Sequence, residues 1–468
     1  MTSVSEITSD IKSSKRSARE VVQEAIDKAR AASDFNAILS LTEERALLRA
    51  DEIDQKLASG EALGRLAGVP FIAKDNFLAF GAPTTAASKI LENFEAPIQA
   101  TTIEKLEAEG AILIGKANLD AFAHGGSTEN SAFGVTKNAI DQSRVAGGSS
   151  GGSAVAAALD IVPFTLGTDT GGSIRQPAAF NGVYGIKPTY GAVSRFGVVA
   201  MASSTDVIGC FTCNVDDMSL VMDILAGPDR HDMTTIERVP MRLDTVKNLK
   251  IGVINETLTD EIQPEIKEAV RKYSDQLRAD GHTVEHVSLP LVKYALAMYY
   301  IIVPAEVSSN LARYDGVRYG RRASDAKTLS EVYGESRDQG FMTENKRRIM
   351  IGSYVLSSGY FDAYYEKAQK ARTLLIEEFN KLFEQYDILL TPTTPSTAFK
   401  IGANADDPVK MYLADIMTVP ASLAGLPALN VPFGTDKDKL PIGLQLIGKQ
   451  RDDALLMNLA KALAEKQA

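Results

Sequence analysis

The chain has 468 residues, 45% apolar and 24% charged, the composition of a globular protein able to bury a large core. Its net charge of −10 argues against a bulk electrostatic grip on nucleic acid, although a local basic patch is compatible with it. Two cysteines in this length exclude a disulfide framework and suit a reducing compartment.

The opening stretch, "MTSVSEITSDIKSSKRSAREVV", lacks the apolar core of a signal peptide, and no apolar run approaches the roughly 18 residues of a membrane span. A cytoplasmic location without a membrane partner is therefore expected. Residues 16–32 and 40–58 have the pattern of polar amphipathic helices. "LAGVPFIAKDNF" reads as a short strand ending near Lys74. In "TTIEKLEAEGAILIGKAN" a helix precedes a strand; Thr101 with Glu104 forms the capping box that opens the helix, and Gly110 closes it. An apolar strand at Ile161–Leu166 leads into "GTDTGGSIRQPAAF", where a helix is expected to begin at Ser173. Residues 227–247 are expected to form a long surface connection. Residues 249–289 form a β-α-β unit, whose helix from Pro264 to Asp280 puts Ile266, Ala269, Tyr273 and Leu277 on one face. "YDILLTPTTP" is a buried strand stopped by prolines. This alternation predicts an α/β fold, a sheet covered by helices on both faces.

Two glycine–serine loops, "AGGSSGGSAVAAALD" and "GTDTGGSIRQPAAF", carry the candidate chemistry. Neither matches a phosphate-cradling motif. The pattern G-x-S-x-G occurs twice in the first loop, centred on Ser149 and on Ser150, but no strand precedes it as a nucleophile elbow requires. Ser173 breaks that pattern yet follows a strand and opens a helix. There the backbone N–H groups of Thr170, Gly171, Gly172 and Ser173 can converge as an oxyanion hole, each donor being worth about 3 kcal/mol. The same residues also make a plain helix cap and tight turn. A nucleophilic serine needs a base. The histidines at 124, 231, 282 and 286 offer no evident partner, whereas Lys74, desolvated at a strand end, could serve with a lowered pKa. A solvated lysine is the competing reading.

"GGSSGGSAVAAA" followed by "GTDTGGSIRQPAAFNGVYGIKPTYG" closely resembles the amidase signature family, whose members use a Ser–cis-Ser–Lys triad. The resemblance implies one amidase domain over residues 1–468. Within it lie a helical segment over about 1–60, a signature core over about 61–226, and a β-α-β and helical part over about 248–468. The implied fold is a central mixed β-sheet with helices on both faces. Ser173 corresponds to the acyl-forming nucleophile, Ser149 to the bridging serine of a cis peptide, and Lys74 to the base.

Within the family, "STENSAFG", "KPTYGAVSRFG", "MYLADIMTVPASLAGLPALNVP" and "PIGLQLIG" resemble the A subunits of tRNA-dependent amidotransferases. That implies glutamine as substrate, its α-carboxylate held by Arg348 and its α-amine by Asp415, with Tyr299 nearby. It also implies a heterotrimer with a B subunit that binds ATP, Mg²⁺ and charged tRNA, and a small C subunit. No cofactor and no metal are expected on this chain. Departures from the A-subunit pattern are Ala121 and His124 for glutamate and methionine, Ala146 for proline, and Val207 and Cys210 for glutamine and proline. A packing substitution and a substrate contact are both open for His124; Cys210 and Cys213 read as buried thiols.

Overall fold

A computed structural model describes residues 2–404 and 407–466. Among these residues eleven strands form one sheet. In chain order they are β1 (Ile38–Leu41), β2 (Pro70–Lys74), β3 (Ile112–Ala117), β4 (Phe164–Asp169), β5 (Tyr184–Lys187) and β6 (Val207–Thr212). They continue with β7 (Lys250–Ile254), β8 (Thr283–Val287), β9 (Ile388–Pro392), β10 (Ala428–Thr435) and β11 (Pro441–Gly448). Their spatial order is β1-β3-β2-β4-β6-β5-β10-β11-β9-β7-β8. The sheet is mixed. β3, β2 and β4 run parallel, as do β9, β7 and β8, while the ladders from β4 through β6, β5, β10 and β11 to β9 are antiparallel.

Strand periodicity explains how both faces are covered, since alternate side chains point to opposite sides. On β9, Ile388 and Leu390 pack into one large apolar cluster and Leu389 into another. On β11, Leu444 and Leu446 join the first and Ile447 the second. Helices Ala18–Ala31, Pro264–Ala279 and Asp453–Ala464 bury their apolar faces in the first cluster, including Ile266, Ala269, Tyr273 and Leu277. Helices Val292–Asn310 and Lys367–Leu382 cover the other face. The segment Pro290–Arg313 has the length and mean hydropathy, 1.3, of a membrane span, but half of its apolar window is buried inside the protein.

Several local expectations change. Ser40 and Leu41, the first two residues of the stretch expected to be helical, belong instead to the edge strand β1 (Ile38–Leu41), and the helix starts only at Glu43. The capping box at Thr101 does not form: Ala100 is the cap, and Thr101 Oγ1 instead donates to Asp229 Oδ2 at 2.7 Å. β4 begins at Phe164 and runs on to Asp169, so the next helix starts at Arg175 rather than at Ser173. Residues 227–247 are irregular, as expected, but Asp232, Val239 and Met241 within them are buried.

Candidate active site

The parallel neighbours β2 and β4 end side by side, and open α/β sheets bind ligands at the carboxyl ends of such strands. Lys74 is the last residue of β2 and is fully buried. Its Nζ donates to Ser149 Oγ and to Thr168 Oγ1, both at 2.8 Å. Burial pushes its pKa down to about 7, against the pull of the Asp120, Asp169 and Asp206 carboxylates. None of these carboxylates hydrogen-bonds to it among the described residues. A lysine so placed is neutral for much of its population near neutrality.

The loop that carries Ser149 is fixed by backbone contacts. The Gly148–Ser149 peptide is cis. Gly148 N–H donates to Gln176 Oε1 at 2.8 Å, and Gln176 Nε2 donates to Gly126 O at 2.7 Å. A Cβ on Gly148 would lie 2.1 Å from Asp120 Oδ2, so only glycine fits there. Asp120 in turn accepts from the N–H groups of Ser127, Thr128 and Asn130. Ser150, the other centre of G-x-S-x-G, turns its hydroxyl to Thr168 O at 3.1 Å. Its N–H donates to Ser173 O at 3.2 Å, which ties the two glycine–serine loops together.

Ser173 lies in the turn between β4 and the helix Arg175–Asn181. Its Oγ makes no hydrogen bond among the described residues, to Ser149 included. The backbone N–H groups of Thr170, Gly171, Gly172 and Ser173 likewise donate to nothing among the described residues, although all four residues are buried. Four unspent donors around a free hydroxyl are what an oxyanion needs. The turn is pinned from beneath by Asp169 and Arg175, an ion pair with no exposed surface. Gly172 has φ +149°, and a Cβ there would lie 2.2 Å from Thr418 Oγ1. That hydroxyl donates to Gly171 O at 2.6 Å.

Beside these loops opens a cavity of about 350 Å³ that includes Asp120, His124, Tyr300, Arg348, Tyr412 and Asp415 in its lining. Arg348, on the helix Thr343–Val355, is 3% exposed. It spends only Nε, donating to Glu344 Oε1 at 2.8 Å, while its cation lies 5.2 Å from the Tyr300 ring centre and 5.7 Å from that of Tyr412. Its two terminal nitrogens have no hydrogen bond among the described residues. The Asp415 carboxylate has none either, and burial pushes its pKa up to about 8 against the opposing charge of Arg348. A free guanidinium fork and a free carboxylate thus share one cavity without pairing.

A family model described as Amidase matches residues 20–457. The chain belongs to the amidase signature family. It is 50% identical to the A subunit of glutamyl-tRNA(Gln) amidotransferase from Thermosynechococcus vestitus, covering 99% of this chain and 97% of that one. It is also 50% identical to the corresponding protein of Symbiobacterium thermophilum, over 95% of this chain and 93% of that one. The crystal structure of the A subunit of glutamyl-tRNA(Gln) amidotransferase from Thermotoga maritima superposes with a TM-score of 0.78 at 40% identity, covering 95% of this chain and 91% of that one.

In this amidase, Lys74 and Ser149 are brought into contact, and Arg348 and Asp415 into one cavity. Tyr299 takes a different place from theirs: its ring packs on Gly171 of the glycine turn, within 2.6 Å of where a Cβ would be, and its neighbour Tyr300 lines the cavity together with Tyr412. Sequence reasoning missed Thr168, Gln176, Asp120 and the Asp169–Arg175 pair. The last left a signal, two opposite charges bracketing an uncharged glycine turn. Cys210 is buried and Cys213 half-buried; both are free thiols, and burial raises the pKa of each.

Proposed function

We propose that this amidase hydrolyses glutamine through an acyl-enzyme on Ser173, as the ammonia-supplying component of a tRNA-dependent amidotransferase that converts Glu-tRNA(Gln) to Gln-tRNA(Gln). The observation that carries this reading is the cavity holding Arg348 and Asp415, each with bonding capacity unspent. An α-amino acid presents the complementary pair, a carboxylate for the guanidinium fork and an ammonium for the carboxylate. The names of relatives 50% identical over nearly the whole chain support the same assignment.

Neutral Lys74 takes the proton of Ser149 Oγ, and Ser149 takes that of Ser173 Oγ as this oxygen attacks the carboxamide carbon. The carbonyl electron pair moves onto oxygen, which the N–H groups of Thr170, Gly171, Gly172 and Ser173 stabilise. Collapse breaks the C–N bond, and the proton returns through Ser149 to the leaving nitrogen. Water then attacks the acyl-enzyme by the same relay and releases glutamate. Tyr299, packed on Gly171, bounds the substrate beside the turn.

Amide transfer to a tRNA-borne carboxylate requires that carboxylate to be activated, by a phosphoryl group from ATP. The sequence carries no Walker loop and no glycine-rich nucleotide fingerprint, so we assign ATP, Mg²⁺ and charged tRNA to a B subunit, joined by a small C subunit. The deciding assay measures ammonia release and Gln-tRNA formation by the chain alone and with candidate B and C subunits. ATP-dependent Gln-tRNA formation is expected only in the complete mixture. Full-rate hydrolysis of diverse amides by the chain alone would instead mark a stand-alone amidohydrolase.

A further inference from the structure

His124 is fully buried at the end of the short turn Ala121–Ala123, and it belongs to the wall of the cavity that holds Arg348 and Asp415. Its tautomer follows from its neighbour. Asn345 Oδ1 accepts the N–H of Met342 at 3.2 Å, which turns Asn345 Nδ2 toward Ala121 O at 2.8 Å and His124 Nδ1 at 2.7 Å. Nδ1 is therefore the acceptor, and the neutral ring carries its proton on Nε2. That Nε2 has no hydrogen-bond partner among the described residues, although it is buried. Burial and the nearby charge of Arg348 both hold the imidazole neutral.

An orphaned buried donor costs free energy unless a ligand satisfies it. The ligand group it can satisfy is an acceptor, and in a cavity that also holds the Arg348 guanidinium that acceptor is an anion. We infer that His124 is a specificity residue whose Nε2–H donates to the substrate carboxylate gripped by Arg348, so that carboxylate and ammonium are read by His124 with Arg348 on one side and Asp415 on the other. The inference rests on the glutamine reading proposed above.

The test is calorimetric binding to the full chain carrying Ser173→Ala, which stops turnover, with glutamine and with 4-aminobutanamide, which keeps the amine and the amide but lacks the carboxylate. His124→Met should weaken glutamine binding about tenfold, the worth of a hydrogen bond to a charged group, and change 4-aminobutanamide binding less than twofold. His124→Gln, which keeps an N–H donor, should recover at least half of the loss on a logarithmic scale. In the chain with histidine 124 intact, the ¹⁵N-histidine spectrum should show a protonated Nε2 whose proton resonance moves on adding glutamine and not on adding 4-aminobutanamide. Equal weakening toward both ligands, or no weakening toward glutamine, overturns the assignment. Failure of the histidine-intact chain to bind glutamine while it binds 4-aminobutanamide overturns the glutamine reading itself, and the role of His124 with it.

Discussion

Arg175 and Asp169 meet through two hydrogen bonds, Nε to Oδ2 at 2.9 Å and Nη2 to Oδ1 at 2.8 Å, with neither side chain exposed. The remaining guanidinium protons go to Thr418 O, Gln445 Oε1 and Ser422 Oγ, so all five donors are spent. Burial works against the Asp169 charge, yet Arg175 overrides it and holds the carboxyl below its usual pKa. Asp169 Oδ2 also accepts the N–H of Ile174 at 3.2 Å, which stops that amide from competing with those of the turn. The pair orients the turn without reaching the reacting atoms.

Arg175→Leu should therefore act on stability and rate together. Removing one partner of a buried pair costs about 3–5 kcal/mol, because the other is left uncompensated. A lower thermal midpoint and a reduced kcat are expected, with Arg175→Lys little better, since an ammonium cannot supply five donors in a planar fork. An unchanged midpoint in Arg175→Leu would contradict this account.

Lys74 sets the acid limb of the rate. It works as a base only when neutral, and in the free protein its pKa is lowered to about 7, so kcat/KM for a simple aliphatic amide should fall about tenfold per pH unit below that value and level off above it. Lys74→Arg keeps a cation that does not deprotonate and should be nearly as inactive as Lys74→Ala. Rescue by arginine would assign Lys74 an electrostatic role instead.

Ser173→Ala should abolish acyl transfer, by at least about 10⁴-fold, with the thermal midpoint retained, because its hydroxyl supports no hydrogen bond among the described residues. Ser149→Ala should also lower kcat severely, since it removes the relay to Lys74. Ser150→Ala should leave the chemistry in place. Mass spectrometry of the trapped acyl-enzyme should find the adduct on the peptide carrying Ser173. An adduct on Ser149 or Ser150 would refute the assignment.

The α/β class and the β-α-β unit were legible because strand and helix periods survive in local sequence. The capping box at Thr101 misled because Asp229, distant in sequence, captures its hydroxyl. β1 was missed for a similar reason: its four residues straddle the start of a helical pattern and become a strand only by pairing with β3. The glycine turn was legible from its own residues, since free N–H groups and a hydroxyl are local properties. The framework around it was not. Thr168 and Gln176 matter through contacts that cross long stretches of chain, Asp120 through an irregular turn that has no helix or strand period, and Arg348 and Asp415 look like ordinary charges until folding puts them in one cavity. Their pairing came from resemblance and not from spacing.

Asp415 supplies the last prediction, with a sign that the cavity dictates. In the free protein burial raises its pKa to about 8, so near neutrality much of it is protonated and unable to receive an ammonium. Binding a cationic α-amine must draw out that proton. Glutamine affinity should therefore rise with pH from about 6 to about 8, by up to tenfold per unit, and level off above, where the carboxylate is already ionised. Calorimetry in buffers of different ionisation enthalpy should detect release of a proton at pH 7. Asp415→Asn should weaken glutamine binding, abolish the proton release and flatten this limb. It should do so without moving the pH dependence of kcat, which belongs to Lys74 in the substrate complex. The rate of a simple aliphatic amide, which has no ammonium to place, should change little. If Asp415→Asn weakened both substrates alike, or if glutamine binding released no proton, the carboxylate would be serving the fold of the cavity and not the recognition of its occupant.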